Sequence, residues 1–224
     1  MDYLVCWPYS FLFLFKVSKS QNLWNRAWSA TELDNRCFSE TYRYSHANGD
    51  KLILFGANDA CLKDGETGQH VPLQQYKTNL KTIISHSFIE SRQPTLFLVT
   101  PPPINEAHLW EFDSKKNHSA VTRHQKVTAQ YAEAVREVAK EYEHKNVVLV
   151  DLWEALMKEA RLGLSLANDK QSEMDAEDKG LRKLLVDGLH LTGAGYKIFL
   201  DMLLPLVGAE WATDDPDNLS WVFP

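Results

Sequence analysis

Four short apolar runs punctuate an otherwise mixed chain: residues 10–15 (Ser-Phe-Leu-Phe-Leu-Phe), 51–56 (Lys-Leu-Ile-Leu-Phe-Gly), 95–99 (Thr-Leu-Phe-Leu-Val) and 147–151 (Val-Val-Leu-Val-Asp). Runs this short, without alternation, fit strands covered on both faces, as in a parallel sheet. Between them the apolar spacing changes to three and four. Leu73, Tyr76, Leu80, Ile83 and Ile84 form one helical face, with Pro72 near the first turn, where a missing N–H costs little. Residues 120–142 carry Val127, Tyr131, Ala134, Val135 and Val138 on one side and charges on the other, predicting a long amphipathic helix. Residues 153–160 and 194–207 predict two more. The charged segment 169–183 reads as a solvated loop or helix surface, and 208–224 as a Trp-bearing tail. Residues 18–50 contain Trp24 and Trp28 but no sustained period.

Strand alternating with helix implies βαβ units, hence an α/β fold with a mainly parallel sheet covered by helices on both faces. Ligands in such sheets sit beyond the carboxyl ends of the strands. The positions to inspect are therefore those just after Phe15, Phe55, Val99 and Asp151.

Composition narrows the function classes. A chain of 224 residues with 44% hydrophobic and 24% charged residues is expected to form one domain, 1–224, with a packed core. The net charge of -6 and the lack of a basic stripe argue against a nucleic-acid partner. Cys6, Cys37 and Cys61 form no CxxC pair and leave one over from any disulfide, which suggests a reducing, cytoplasmic compartment. They also lack zinc-ligand spacing, and His108, His118 and His124 are irregularly placed, so neither a metal nor another cofactor is expected. The apolar stretch 3–15 is shorter than the roughly 18 residues of a membrane span, and Pro8 interrupts it. With Asp2 before it and Lys16 and Lys19 after it, it fits a buried strand better than a secretory signal, and no stable membrane span is expected. Trp24 and Trp28 read as sheet packing before acyl-pocket lining.

Two stretches carry candidate chemistry. Asp187-Gly188-Leu189-His190 lies at the start of an apolar helix, so the carboxylate can sit beside one imidazole nitrogen and leave the other free as a base. The competing reading makes Asp187 a helix N-cap. Gly56-Ala-Asn-Asp59 follows a buried strand directly, which sets Asn58 at the ligand edge of the sheet. A side-chain amide there can donate to an oxygen that becomes negative during acyl transfer, a role worth about 3 to 4 kcal/mol. The competing reading is a simple turn. Thr100 with Pro101 to Pro103 is expected to shape a loop over the cleft.

Taken jointly, these blocks resemble the GDSL or SGNH-type hydrolases, and within them the isoamyl-acetate-hydrolysing esterases. Leu54-Phe-Gly-Ala-Asn-Asp-Ala60 resembles the family's GxND block, and Asp187-Gly-Leu-His-Leu-Thr-Gly-Ala-Gly-Tyr196 its DxxH block. His70-Val-Pro-Leu73 and Val99-Thr-Pro-Pro-Pro103 are similar to the esterase branch between blocks, and the likeness runs from 51 to 207. The resemblance implies a flavodoxin-like three-layer α/β/α sandwich and a metal-free hydrolase of short-chain acyl esters. A serine after the first strand would attack the carbonyl, His190 would carry its proton to the leaving alcohol, and Asp187 would fix the imidazole tautomer. Asn58, a backbone N–H of the second block and the N–H of the serine would form the oxyanion hole.

The N-terminal part departs from that pattern. No Gly-Asp-Ser occurs anywhere; Phe13-Leu-Phe-Lys-Val-Ser18 places Ser18 at the nucleophile position, with Lys16 and Val17 for the glycine and aspartate. Asn35-Arg-Cys-Phe-Ser-Glu40 resembles the second block, and puts Glu40 where a glycine supplies an oxyanion-hole N–H. An apolar run for the family's second strand is missing as well, so the first helix and second strand region is degraded. Two functions follow for test: a short-chain ester hydrolase, and a catalytically impaired relative that keeps the fold without a working nucleophile. Oligomeric state is left open.

Overall fold

In a computed structural model, residues 50–162 and 170–206 are described. The expected strand at 10–15, and with it Ser18, Trp24, Trp28 and Glu40, lies outside the described residues, as does the tail 208–224.

Three of the predicted strands form as β1 (Lys51–Leu54), β2 (Leu96–Val99) and β3 (Val147–Val150). They pair in parallel in the order β1-β2-β3, with Leu54, Val99 and Val150 in register at the carboxyl end. Helices α1 (Leu73–Ile84), α2 (Ser87–Arg92), α3 (Glu106–Asp113), α4 (Gln125–Glu141), α5 (Leu152–Leu162), α6 (Lys170–Leu184) and α7 (Gly193–Leu203) complete the described elements. The period-two geometry of the strands divides the core in two. Leu52, Phe97, Val99 and Val150 pack with Leu156, Met157, Leu181, Leu184 and Phe199 of α5, α6 and α7. Ile53, Leu96, Leu98 and Val147 pack on the other side with Tyr76, Leu80, Tyr131 and Val135 of α1 and α4. Helices thus cover both faces of a parallel sheet, the α/β/α layering expected.

The helix read into 120–142 begins only at Gln125. The Glu106 carboxylate accepts the Gln125 N–H at 2.8 Å, and Arg123 pairs with Cys61 in an isolated antiparallel bridge, so 120–124 has other partners than a first helical turn. The segment 169–183 resolves as helix from Lys170, with Leu181 and Leu184 in the core. α3 was not legible as a helix: it starts three residues after the proline run, where the Asn105 side chain caps it by accepting from His108 N at 2.8 Å.

Thr100 opens the proline segment that follows β2. It is fully buried, donates to Asp151 Oδ1 at 3.2 Å and accepts from Trp153 N at 2.8 Å, tying the end of β2 to the start of α5. Asp151, also at a strand end, is held bidentately by Arg136. Both are structural.

The loop leaving β1 is pinned from several directions. Tyr76 Oη donates to Phe55 O at 3.0 Å, and Gly56 has φ +114°, with a Cβ there falling 2.9 Å from that hydroxyl. Farther along the loop, Glu66 accepts from Ser119 Oγ at 2.6 Å and Ser119 N at 2.9 Å and meets His118 Nδ1 at 2.8 Å. Ser119 and His118 together hold the Glu66 carboxyl down at about 2. The Asn58 loop is in this way fastened to the connection before α4.

Candidate active site

The turn between α6 and α7 is closed by a Leu185 to Leu191 bridge, with Val186 N donating to His190 O at 2.7 Å. Within it Asp187 uses both oxygens. Oδ1 accepts the Leu189 and His190 backbone N–H groups at 3.0 and 2.9 Å, an Asx turn, while Oδ2 sits 2.7 Å from His190 Nδ1. Partial burial pushes the Asp187 carboxyl up, but the hydrogen bonds from His190 and Leu189 outweigh it and hold the group well below the usual carboxylate range. The N-cap role is taken by Thr192, whose Oγ1 accepts from Gly195 N at 3.2 Å. Asp187 is therefore free of that duty.

Gly188 makes the turn possible. It has φ +83° and lies against α3: Asn105 N donates to Gly188 O at 2.9 Å, and a Cβ would meet Leu109 N at 2.4 Å and Asn105 O at 2.6 Å. Asn105, itself buried, also reaches Asp178 O of α6 at 2.9 Å, so one side chain and its backbone link three segments around the turn. The result is a carboxylate 18% exposed behind an imidazole 58% exposed. That difference leaves the ring's far side open to an incoming group. In the neutral tautomer with Nδ1–H on Asp187, Nε2 carries the lone pair and can act as a base.

At the other block, Asn58 lies in the turn that follows β1, with Ala60 N donating to Gly56 O at 2.9 Å and Cys61 N to Asn58 O at 3.1 Å. The turn reading and the oxyanion reading are thus compatible. The Asn58 side chain accepts from Arg123 Nη2 at 2.9 Å. Nothing in the sequence pattern singles out Arg123, because an arginine inside 120–142 reads as the polar back of a helix. It is only 5% exposed. Burial holds its value below the ordinary arginine range, against the opposing pull of Cys61, Asp113, Asp187 and Asp59.

The structure thus brings Asp187 and His190 together and sets Asn58 at the carboxyl end of β1; Ser18 and Glu40 lie outside the described residues. His118 and His124 are engaged with Glu66 and Glu106, and among the described residues no group of three or more His, Cys, Asp or Glu side chains could hold a metal ion. Cys61 is buried and free.

A GDSL-like lipase/acylhydrolase family model matches residues 18–203. Among curated proteins, the mouse isoamyl acetate-hydrolyzing esterase 1 homolog is 30% identical over 173 residues, covering 77% of this chain and 59% of its own. A GDSL esterase/lipase of Arabidopsis thaliana is 34% identical over 153 residues, covering 66% of this chain and 54% of its own. The chain spans little more than half the length of these relatives. Of solved structures, a catalytic mutant of an acetylxylan esterase from Geobacillus stearothermophilus superposes with a TM-score of 0.50 at 19% identity, over 84% of this chain and 71% of that one. A second mutant of the same enzyme, described as an acetyl-xylooligosaccharide esterase, gives 0.50 at 20% identity over 82% and 69%. Those likenesses concern the fold.

Proposed function

Since the chain belongs to the GDSL-like lipase/acylhydrolase family, we propose that it hydrolyses short-chain acyl esters of small alcohols, isoamyl acetate among them. The observation that carries this reading is the 2.7 Å contact between Asp187 and His190 Nδ1, with the imidazole exposed on its other side. The name of the mouse relative supports both the alcohol and the small acyl group.

In the proposed reaction Ser18 Oγ attacks the ester carbonyl while His190 Nε2 takes its proton. The tetrahedral oxyanion is stabilised by the Asn58 amide and the backbone N–H groups of Ser18 and Glu40. His190 then returns the proton to the alcohol as the carbon–oxygen bond breaks, leaving an acyl-serine. A water deprotonated by His190 releases the acid and restores the serine. Asp187 keeps the imidazole in one tautomer and offsets its positive charge. No metal or cofactor enters this scheme. The cysteine usage favours a cytoplasmic setting, and among the described residues no helix is long and apolar enough to cross a membrane.

A second reading has its own observation. Lys16, Val17 and Glu40 stand where the family's pattern has Gly, Asp and Gly, which favours a relative with an impaired nucleophile. Alcohol release from isoamyl acetate separates the two. The hydrolase reading expects turnover that His190→Ala lowers by at least about 10³-fold. A folded wild-type chain without turnover on short acyl esters selects the impaired relative.

A further inference from the structure

Arg123 is a buried cation whose contacts differ from those of a structural ion pair. Nε donates to Ala57 O at 2.8 Å, Nη2 to Asn58 Oδ1 at 2.9 Å and to Gln69 Oε1 at 3.2 Å, and Nη1 to Thr122 Oγ1 at 3.1 Å. All of these acceptors are neutral oxygens. The carboxylate of Asp113 is reached only through Thr122, whose hydroxyl donates to it at 2.7 Å. A buried guanidinium is ordinarily compensated by a carboxylate in direct contact. Here its charge is spent on uncharged groups, two of which belong to Asn58 and the residue before it.

The consequence for Asn58 follows from donor inventory. Arg carries only donors, so the end of the amide that faces it must be Oδ1. Were the amide flipped, Nδ2–H would oppose Nη2–H. The Nε and Nη2 arms hold the Ala57 carbonyl and the Asn58 side chain together, a two-point grip that the single ammonium of lysine does not reproduce.

We propose that Arg123 is the positioning residue of the oxyanion-binding amide: it holds Asn58 with Oδ1 toward the guanidinium and Nδ2–H2 turned away, and polarises that donor as a positive charge one hydrogen bond behind it. This rests on the reading of Asn58 as an oxyanion donor. Arg123 touches no substrate; it acts through Asn58.

A double-mutant cycle on isoamyl acetate tests it, using wild type, Asn58→Ala, Arg123→Met, Arg123→Lys and the double variants. Asn58→Ala is expected to lower kcat about 10²-fold, and Arg123→Met about 10-fold or more with KM within about threefold. Arg123→Lys falls between. In the Asn58→Ala background either Arg123 change costs less than about twofold, because the amide it serves is gone. Equal losses in both backgrounds, or a change confined to KM, overturn the proposal. Should Arg123→Met fail to fold, Arg123→Lys carries the cycle. Side-chain amide NMR of Asn58 supplies a readout independent of turnover: Arg123→Lys shifts the Nδ2 resonances if the grip exists, and unshifted resonances overturn it. If Asn58→Ala leaves kcat unchanged, the oxyanion reading of Asn58 fails instead, and the same spectra decide whether Arg123 holds the amide.

Discussion

Asp187→Asn is expected to lower kcat for ester hydrolysis by about 10⁴-fold while the chain stays folded. An asparagine Oδ1 can still accept the Leu189 and His190 backbone N–H groups that define the turn. What changes is the atom facing His190 Nδ1, now 2.7 Å from a carboxylate oxygen. An amide NH2 in that place donates, so the imidazole presents Nδ1 as acceptor and carries its proton on Nε2, the tautomer that cannot take a proton from serine. The substitution therefore removes the base without removing the histidine. Its stability signature follows from the depressed Asp187 value. A carboxylate held below its unfolded value contributes stability that is present above the ordinary carboxylate range and lost as pH falls through the folded value. Wild type is accordingly the more stable protein at neutral pH, and the gap to Asp187→Asn narrows on acidification. Urea unfolding at neutral and acid pH, with kcat alongside, checks both parts; a variant that keeps turnover contradicts the assigned role.

Gly188→Ala is expected to be more damaging to the fold, costing about 2 to 4 kcal/mol and most of the activity. Two effects add. A φ of +83° is a region that alanine adopts only with strain, and the new methyl would lie 2.4 Å from Leu109 N and 2.6 Å from Asn105 O. These are backbone atoms of α3 and its cap, which cannot swing aside as a flexible side chain would. Gly68 supplies the control: its φ is +61°, yet a Cβ there meets nothing within 4 Å. Gly68→Ala should show only the conformational cost, about 1 kcal/mol, with kcat unchanged. The urea midpoints of the two variants measure the difference, and equal midpoints would show that α3 yields to the methyl.

The parts of this architecture legible in the sequence were those governed by periodicity. The unbroken runs at Leu52 and Leu98 read as covered strands, and Tyr76, Leu80 and Ile84 at spacings of four mark a buried face that α1 indeed presents to the sheet. Local pattern also exposed the Asp187 to His190 turn, because the hydrogen bonds of the Asp187 side chain all lie within four residues. What periodicity does not encode is contact between distant loops. Arg123 reaches Asn58 across 65 positions, and Glu106 stops α4 from starting early across 19; neither leaves a trace in hydrophobic spacing. The buried side of 170–184 was obscured for a related reason, since a charged surface dominates its composition and Leu181 and Leu184 are a small minority. Thr100 and Asp151 mislead in the opposite sense. They occupy strand ends where ligand groups belong, and only the hydrogen bonds to Trp153 and Arg136 reveal them as ties within the scaffold.

The proposed serine-based acyl transfer through Asp187 and His190 must run despite the Lys16 and Val17 that precede Ser18. Incubation with a serine-directed phosphonate, followed by peptide mass mapping, addresses it at the atom in question. One adduct is expected, on Ser18, lost in Ser18→Ala and formed far more slowly in His190→Ala. No adduct on the folded wild-type chain, or an adduct elsewhere with turnover intact in Ser18→Ala, would contradict it.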